Sequence, residues 1–195
     1  MAADNHRNPN GIVAVAVGAS AGGVEAVCML LAALPRSFKP ALLTVIHLPS
    51  SSKSLLVDVL QPRCALAVRE AQDKEEIQGG TVYVAPPGYH LLVEPGRTLA
   101  LSADEPVNFC RPSLDVLFES AAYAYGTELL AIVLTGANDD GADGLTVVRA
   151  SGGHAWVQKP ATAVAPTMPA AALSRAGADR ILTLEEVAAE LAAMT

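Results

Sequence analysis

A serine set between glycines, a histidine ending an apolar run and a group of aspartates after another apolar run are the residues of this chain that could do chemistry together. Gly18-Ala19-Ser20-Ala21-Gly22 reads G-x-S-x-G, the spacing of a nucleophile elbow, where a sharp strand-to-helix turn lifts a serine hydroxyl off the end of a sheet. The flanking glycines permit a strained backbone and close approach of other chain. A helix directly behind the serine offers free N–H groups and the positive end of its dipole to a developing oxyanion. The same pattern also suits an ordinary glycine-rich turn that holds phosphate or nothing. It is not the dinucleotide fingerprint, because Ser20 stands where the second glycine belongs. For Ser20 to act as a nucleophile, a base and an orienting acid must come from other strand ends.

Of the histidines, His6 lies in the polar N-terminal stretch, His90 in a hairpin region, and His154 at the start of a strand. Only His47 follows the carboxyl end of a buried-type strand, as Ser20 does. The apolar run 129–134 empties into a loop carrying Asp139, Asp140 and Asp143 among glycines. A carboxylate there could bond the second histidine nitrogen and stabilise the imidazolium. These aspartates also suit the acidic first turn of a helix. They lack the spacing and closing glutamate of an EF-hand calcium loop. The order Ser, His, Asp differs from the Ser, Asp, His order of α/β-hydrolases.

The elements that must hold these residues are legible as alternating strands and helices. Strand signals fall at 13–17, 41–47, 66–70, 81–85, 129–134, 155–158 and 179–182. Helical patterns fall at 24–34, 55–60, 113–125, 145–150, 169–176 and after the Thr183/Glu186 capping box. Ser113 stands where a helix N-cap belongs. Residues 89–94 and 98–102 flank Pro95-Gly96 as a hairpin. The fold class expected is α/β: a doubly wound, mainly parallel sheet with helices on both faces and an inserted antiparallel β-hairpin. Ligands of such sheets gather at the carboxyl ends of the strands.

A chain of 195 residues, half of it hydrophobic, can bury one substantial core. The expected organisation is a loose tail over residues 1–10 and a single catalytic domain over 11–195. A formal charge of −7 without a basic cluster argues against a nucleic-acid surface. Cys28, Cys64 and Cys110 show no metal-ligand spacing, which points to a reducing, cytoplasmic setting. No run is long enough to span a membrane, and no secretory signal opens the chain.

At the same residues the sequence resembles the catalytic domain of the chemotaxis protein-glutamate methylesterases, the CheB family. The resemblance is carried by Val17-Gly18-Ala19-Ser20-Ala21-Gly22-Gly23-Val24-Glu25-Ala26, Ile46-His47-Leu48-Pro49 and Val82-Tyr83-Val84-Ala85-Pro86. Arg111-Pro112-Ser113-Leu114-Asp115-Val116-Leu117-Phe118 and Leu134-Thr135-Gly136 with Asp140-Gly141 complete it. It implies Ser20 as nucleophile, His47 as base and Asp140 as the orienting acid, with backbone N–H groups of Ala21 and Ala137 as oxyanion donors. It implies hydrolysis of glutamyl γ-methyl esters on chemoreceptor helices, and deamidation of receptor glutamines by the same acyl chemistry. No metal or organic cofactor is implied. Arg111 is a candidate contact to an acidic receptor surface or a member of a structural salt bridge. The first strand begins so early that no phospho-receiver domain is expected ahead of it, so that either the enzyme is a standalone form or regulation comes from another chain, such as a separate receiver.

The sequence departs from the family at several points. Ala21 replaces a common threonine, Ala137-Asn138 a methionine–glycine pair, and Asp139 an asparagine. Cys110 stands at an often basic position and Pro160 at an often acidic one. A non-catalytic scaffold of the same fold, or a hydrolase of another ester or amide, are the competing expectations.

Overall fold

The computed structural model describes residues 11–48 and 55–194. The expected tail 1–10 with His6, and the serine-rich loop around Lys53 with Pro49, lie outside the described residues. The strands are β1 (Ala14–Ala19), β2 (Ala41–Ile46), β3 (Ala67–Glu70), β4 (Thr81–Val84), β5 (His90–Val93), β6 (Leu99–Ser102), β7 (Leu129–Val133), β8 (His154–Gln158) and β9 (Arg180–Leu182). Seven of them form one sheet in the order β3-β4-β2-β1-β7-β8-β9, and every pair in it is parallel. β5 and β6 form a separate antiparallel hairpin.

Continuous apolar runs suit strands covered on both faces, and β1, β2 and β7 are buried along their whole length. β4 is also buried throughout, because it lies inside the sheet between β3 and β2. Helices α1 (Gly23–Ala33), α2 (Leu56–Leu60) and α6 (Leu184–Ala192) contribute to the core on one face, with Val15, Val17 and Leu42 of the sheet. Helices α3 (Leu114–Tyr125), α4 (Ala142–Ala150) and α5 (Thr167–Arg175), with the hairpin, build the core on the other, against Ala14, Ala16, Leu43 and Val133.

Small side chains on the second face of β1 let α3 lie close to the sheet. At Gly18 the approach is so tight that an added Cβ would stand 1.5 Å from Leu114 Cδ2. Gly18 is therefore needed for space, whereas Gly22 is needed for its backbone, since it sits at φ 75° as the residue before α1.

Two helices start two or three residues earlier than the sequence pattern suggests. α4 opens at Ala142, because Gly141 at φ 93° turns the chain into it. α5 opens at Thr167, with Pro169 in its first turn, where a missing N–H is tolerated. The Thr183/Glu186 capping box forms: Glu186 N donates to Thr183 Oγ1 at 3.3 Å and Thr183 N donates to Glu186 Oε2 at 2.7 Å. Ser113 precedes α3, but its hydroxyl does not cap that helix.

Candidate active site

The chain leaves β1 toward β2 on one side and later returns as β7 on the other. The carboxyl edge around β1 is thus the switch point where doubly wound sheets bind ligands. Ser20 follows β1 directly, and His47 follows β2 directly. Ala19 and Ile46 are register partners, so Ser20 and His47 are the next residues along neighbouring strands, which lie about 4.8 Å apart. Two backbone bonds fix this edge: Ser20 N to Thr135 O at 2.9 Å and His47 N to Ala19 O at 3.0 Å.

Asp140 reaches the edge from the loop between β7 and α4. His47 Nε2 lies 2.8 Å from Asp140 Oδ2. The carboxylate is fully buried and takes three more donors. Ser113 Oγ donates to its Oδ1 at 2.7 Å, Leu114 N to its Oδ2 at 2.6 Å and Asp115 N to its Oδ1 at 3.3 Å. Asp140 therefore does for α3 what the Ser113 side chain was expected to do: it occupies the free N–H groups of the first turn, where the helix dipole favours negative charge. The neighbouring acids point elsewhere. Asp139 and Asp143 form exposed ion pairs with Arg175, at 3.3 and 2.9 Å.

Burial alone would raise the Asp140 pKa, but the bonds from His47, Leu114 and Ser113 hold it below the usual carboxylate value. Burial pulls His47 down, yet the Asp140 hydrogen bond, the Cys110 contact and the negative charge of Asp140 prevail and raise it to about 9.

With Nε2 committed to Asp140, Nδ1 is the nitrogen left to accept a proton. Asn138 Nδ2 stands 3.3 Å from it and Cys110 Sγ 3.7 Å from it. Asn138 Nδ2 also donates to Cys110 Sγ at 3.1 Å. The Ser20 hydroxyl makes no hydrogen bond among the described residues. Hydrogen bonds of this kind are often loose before substrate binds. Cys110 was noted in the sequence only as a departure, and Asn138 likewise. Both lie in loops of the second half of the chain and meet His47 from the first half, which no local spacing announces.

The Ala21 and Ala137 N–H groups have no acceptor among the described residues, which leaves both free for an incoming oxygen. Thr135 fixes the turn that carries Ala21: its Oγ1 donates to Ala21 O at 2.8 Å and accepts from Ala165 N at 2.8 Å. Arg111 Nη1 donates to Ala103 O and Asp104 O, at 2.8 and 2.9 Å. It makes no ion pair among the described residues, so the alternative of a structural salt bridge is replaced by closure of its own loop. His90 is buried between Glu105 O at 3.1 Å and Ser113 N at 3.2 Å, a structural position at the start of α3.

A cleft of about 350 Å³ opens over this edge, lined by His47, Leu48, Gly88, Phe109, Cys110 and Arg111. Phe109 stands at its rim fully exposed, on a backbone at φ 61°. Sequence reasoning did not single it out, because one phenylalanine in a polar loop carries no periodic signal. Among the described residues no helix is long and apolar enough to cross a membrane.

The model of the CheB methylesterase family matches residues 15–191. A relative from Leptospira interrogans, provisionally named a protein-glutamate methylesterase/protein-glutamine glutaminase, is 44% identical over 175 residues, covering 90% of this chain and 91% of its own. The protein-glutamate methylesterase/protein-glutamine glutaminase of Trichodesmium erythraeum is 38% identical over 180 residues. That match covers 91% of this chain and 51% of the relative's. The crystal structure of the Thermotoga maritima CheB methylesterase catalytic domain superposes with a TM-score of 0.88 at 30% identity, covering 93% of this chain and 97% of that one. The chain belongs to the CheB methylesterase family.

Proposed function

We propose that this protein hydrolyses glutamyl γ-methyl esters on the helices of chemoreceptors, in the cytoplasm, with Ser20 as nucleophile, His47 as base and Asp140 as its orienting acid. The observation that carries the reading is the 2.8 Å bond between His47 Nε2 and Asp140 Oδ2, one register step from Ser20 at the sheet's carboxyl edge. Asp140 fixes the ring so that the Nδ1 lone pair faces the edge. His47 Nδ1 takes the Ser20 proton as the hydroxyl oxygen attacks the ester carbonyl. The tetrahedral oxyanion falls to the Ala21 and Ala137 N–H groups. Collapse expels methoxide, which takes the proton back from His47 and leaves as methanol. Water, activated by the same nitrogen, then cleaves the acyl-enzyme. A glutamine side chain would follow the same path and release ammonia. Nothing in this sequence of steps calls on a metal or an organic cofactor. The open cleft, with Phe109 and Arg111 at its edge, suits a helix surface better than a small ester.

The test is methanol release from radiomethylated receptor membranes. Release by the parent protein that disappears in Ser20→Ala supports the reading. No release, with receptor binding retained, assigns the fold to a scaffold. Turnover of small esters alone assigns it to a different hydrolase.

A further inference from the structure

The side chains around His47 Nδ1 have a second use. We infer that Cys110, His47 and Asn138 form a binding site for a thiolate-seeking divalent cation of the zinc type, whose occupancy withdraws the base from Ser20. The argument begins with a distance. A tetrahedral zinc with Zn–S of about 2.3 Å and Zn–N of about 2.0–2.1 Å sets its sulfur and nitrogen about 3.6 Å apart. Cys110 Sγ and His47 Nδ1 stand 3.7 Å apart, so an ion fits between them with little movement of either group.

The histidine is already oriented as a metal ligand. Its Nε2 faces the Asp140 carboxylate, the outer partner that metal-binding histidines commonly have, and this leaves Nδ1 facing the sulfur. Asp140 oxygens approach within 4.8 Å of both other groups. Its carboxylate is saturated by donors from His47, Ser113, Leu114 and Asp115, so it supports the ring and does not ligate.

A third ligand is supplied by Asn138. Its Oδ1 is buried without a hydrogen-bond partner, which is costly for a carbonyl oxygen. Its Nδ2 stands 3.1 Å from Cys110 Sγ and 3.3 Å from His47 Nδ1. Half a turn of the amide places Oδ1 in that position, facing the ion. Water from the adjoining cleft completes the shell and gives the ion its way in. On binding, the Cys110 thiol and the protonated His47 Nδ1 each lose a proton to solvent, sulfur and nitrogen each donate a lone pair, and nothing is oxidised. The metal occupies the lone pair that Ser20 would need, so the expected consequence is reversible inhibition.

Cobalt(II) is the direct probe, because a thiolate ligand gives it an intense near-ultraviolet charge-transfer band. The expected result is such a band in the parent protein, abolished by stoichiometric zinc, and absent in both Cys110→Ser and His47→Gln. Calorimetry with zinc should show at least about a hundredfold weaker binding in each variant, since loss of an outer-shell partner alone costs about 10–100-fold. Circular dichroism confirms that each variant is folded. Cys28 and Cys64 remain in both variants and serve as internal controls. A parent protein without the band, or a band that persists in either variant, overturns the assignment. Ser20→Ala should bind cobalt as the parent does, so the inference stands or falls separately from the esterase reading.

Discussion

Asp140 caps a helix to which it does not belong: Leu114 N, the first residue of α3, donates to its Oδ2 at 2.6 Å. The same oxygen is 2.8 Å from His47 Nε2. One carboxylate therefore ties the start of α3 to the orientation of the imidazole, and a change at Asp140 acts on both.

Asp140→Asn should show this double effect. An asparagine turned to present oxygen to Leu114 N and His47 offers its amide N–H₂ to Ser113 Oγ and Asp115 N. Turned the other way, it opposes Leu114 N. Either rotamer loses the negative charge that stabilises the imidazolium, and the second also inverts the His47 tautomer, so activity should fall by about 10⁴-fold, as when the acid of a serine triad is neutralised. The helix cap should weaken by about 1–2 kcal/mol. Methanol-release kinetics and urea unfolding on one preparation read the two losses separately. An unfolding change without a kinetic one would show that Asp140 is structural only.

Gly18→Ala tests the contact that seats α3. Its new methyl group would collide with Leu114, and overpacking of this kind costs roughly 1–3 kcal/mol. The double variant Gly18→Ala/Leu114→Ala should be more stable than the sum of the two single losses, because the truncated side chain leaves room for the methyl. Strict additivity in the unfolding energies would mean that the two positions do not share this space.

Asp115 should make stability depend on pH. Burial drives its carboxyl up, and the charges of Asp140 and Asp143 add to this while Gly144 N–H opposes it, so it reaches about 6. A carboxyl with its folded pKa raised contributes stability that is full below its ordinary value of 3.8 and is lost as pH rises through about 6. Asp115→Asn keeps an acceptor for Gly144 N, now at 2.7 Å from Asp115 Oδ1. Turning the Asn108 amide, whose Nδ2 donates to Asp115 Oδ2 at 2.8 Å, meets the new N–H₂ group. The variant should exceed the parent by up to about 3 kcal/mol at pH 8, and the advantage should vanish near pH 4. Thermal unfolding at the two pH values decides it. An equal difference at both would exclude a titrating Asp115.

The alternating pattern of the sequence led to the right architecture because buried parallel strands are uninterrupted apolar runs, as in Ala14 to Val17 and Leu129 to Leu134. Ser20 and His47 were legible because each ends such a run, and register pairing brings them to adjacent places. Asp140 could not be separated from Asp139 and Asp143 by composition. What separates them is the direction of each side chain, inward to the α3 N–H groups or outward to Arg175, and that is set by a loop held at Gly141. The Cys110–Asn138–His47 contact was hidden for a related reason. It joins residues 28 and 91 positions apart, and neither partner lies on a periodic element.

His47 should set the pH dependence of turnover. With metal removed by a chelator, kcat/KM requires the imidazole to be neutral in the free enzyme. A pKa raised to about 9 then predicts a rate that climbs about tenfold per pH unit up to that value and levels above it. The same shift means that protonated His47 stabilises the fold fully below about pH 6.5, and that this contribution is lost as pH rises through about 9. Burial lowers the value, and the bond to Asp140 and the contact with Cys110 raise it. Cys110→Ala removes the second of these supports, so its acidic limb should move to lower pH and its rate at neutral pH should rise severalfold relative to its own plateau. A profile that keeps its midpoint in Cys110→Ala would show that the thiol does not act on the ring. A flat profile between pH 6 and 9 would remove His47 from the role of base.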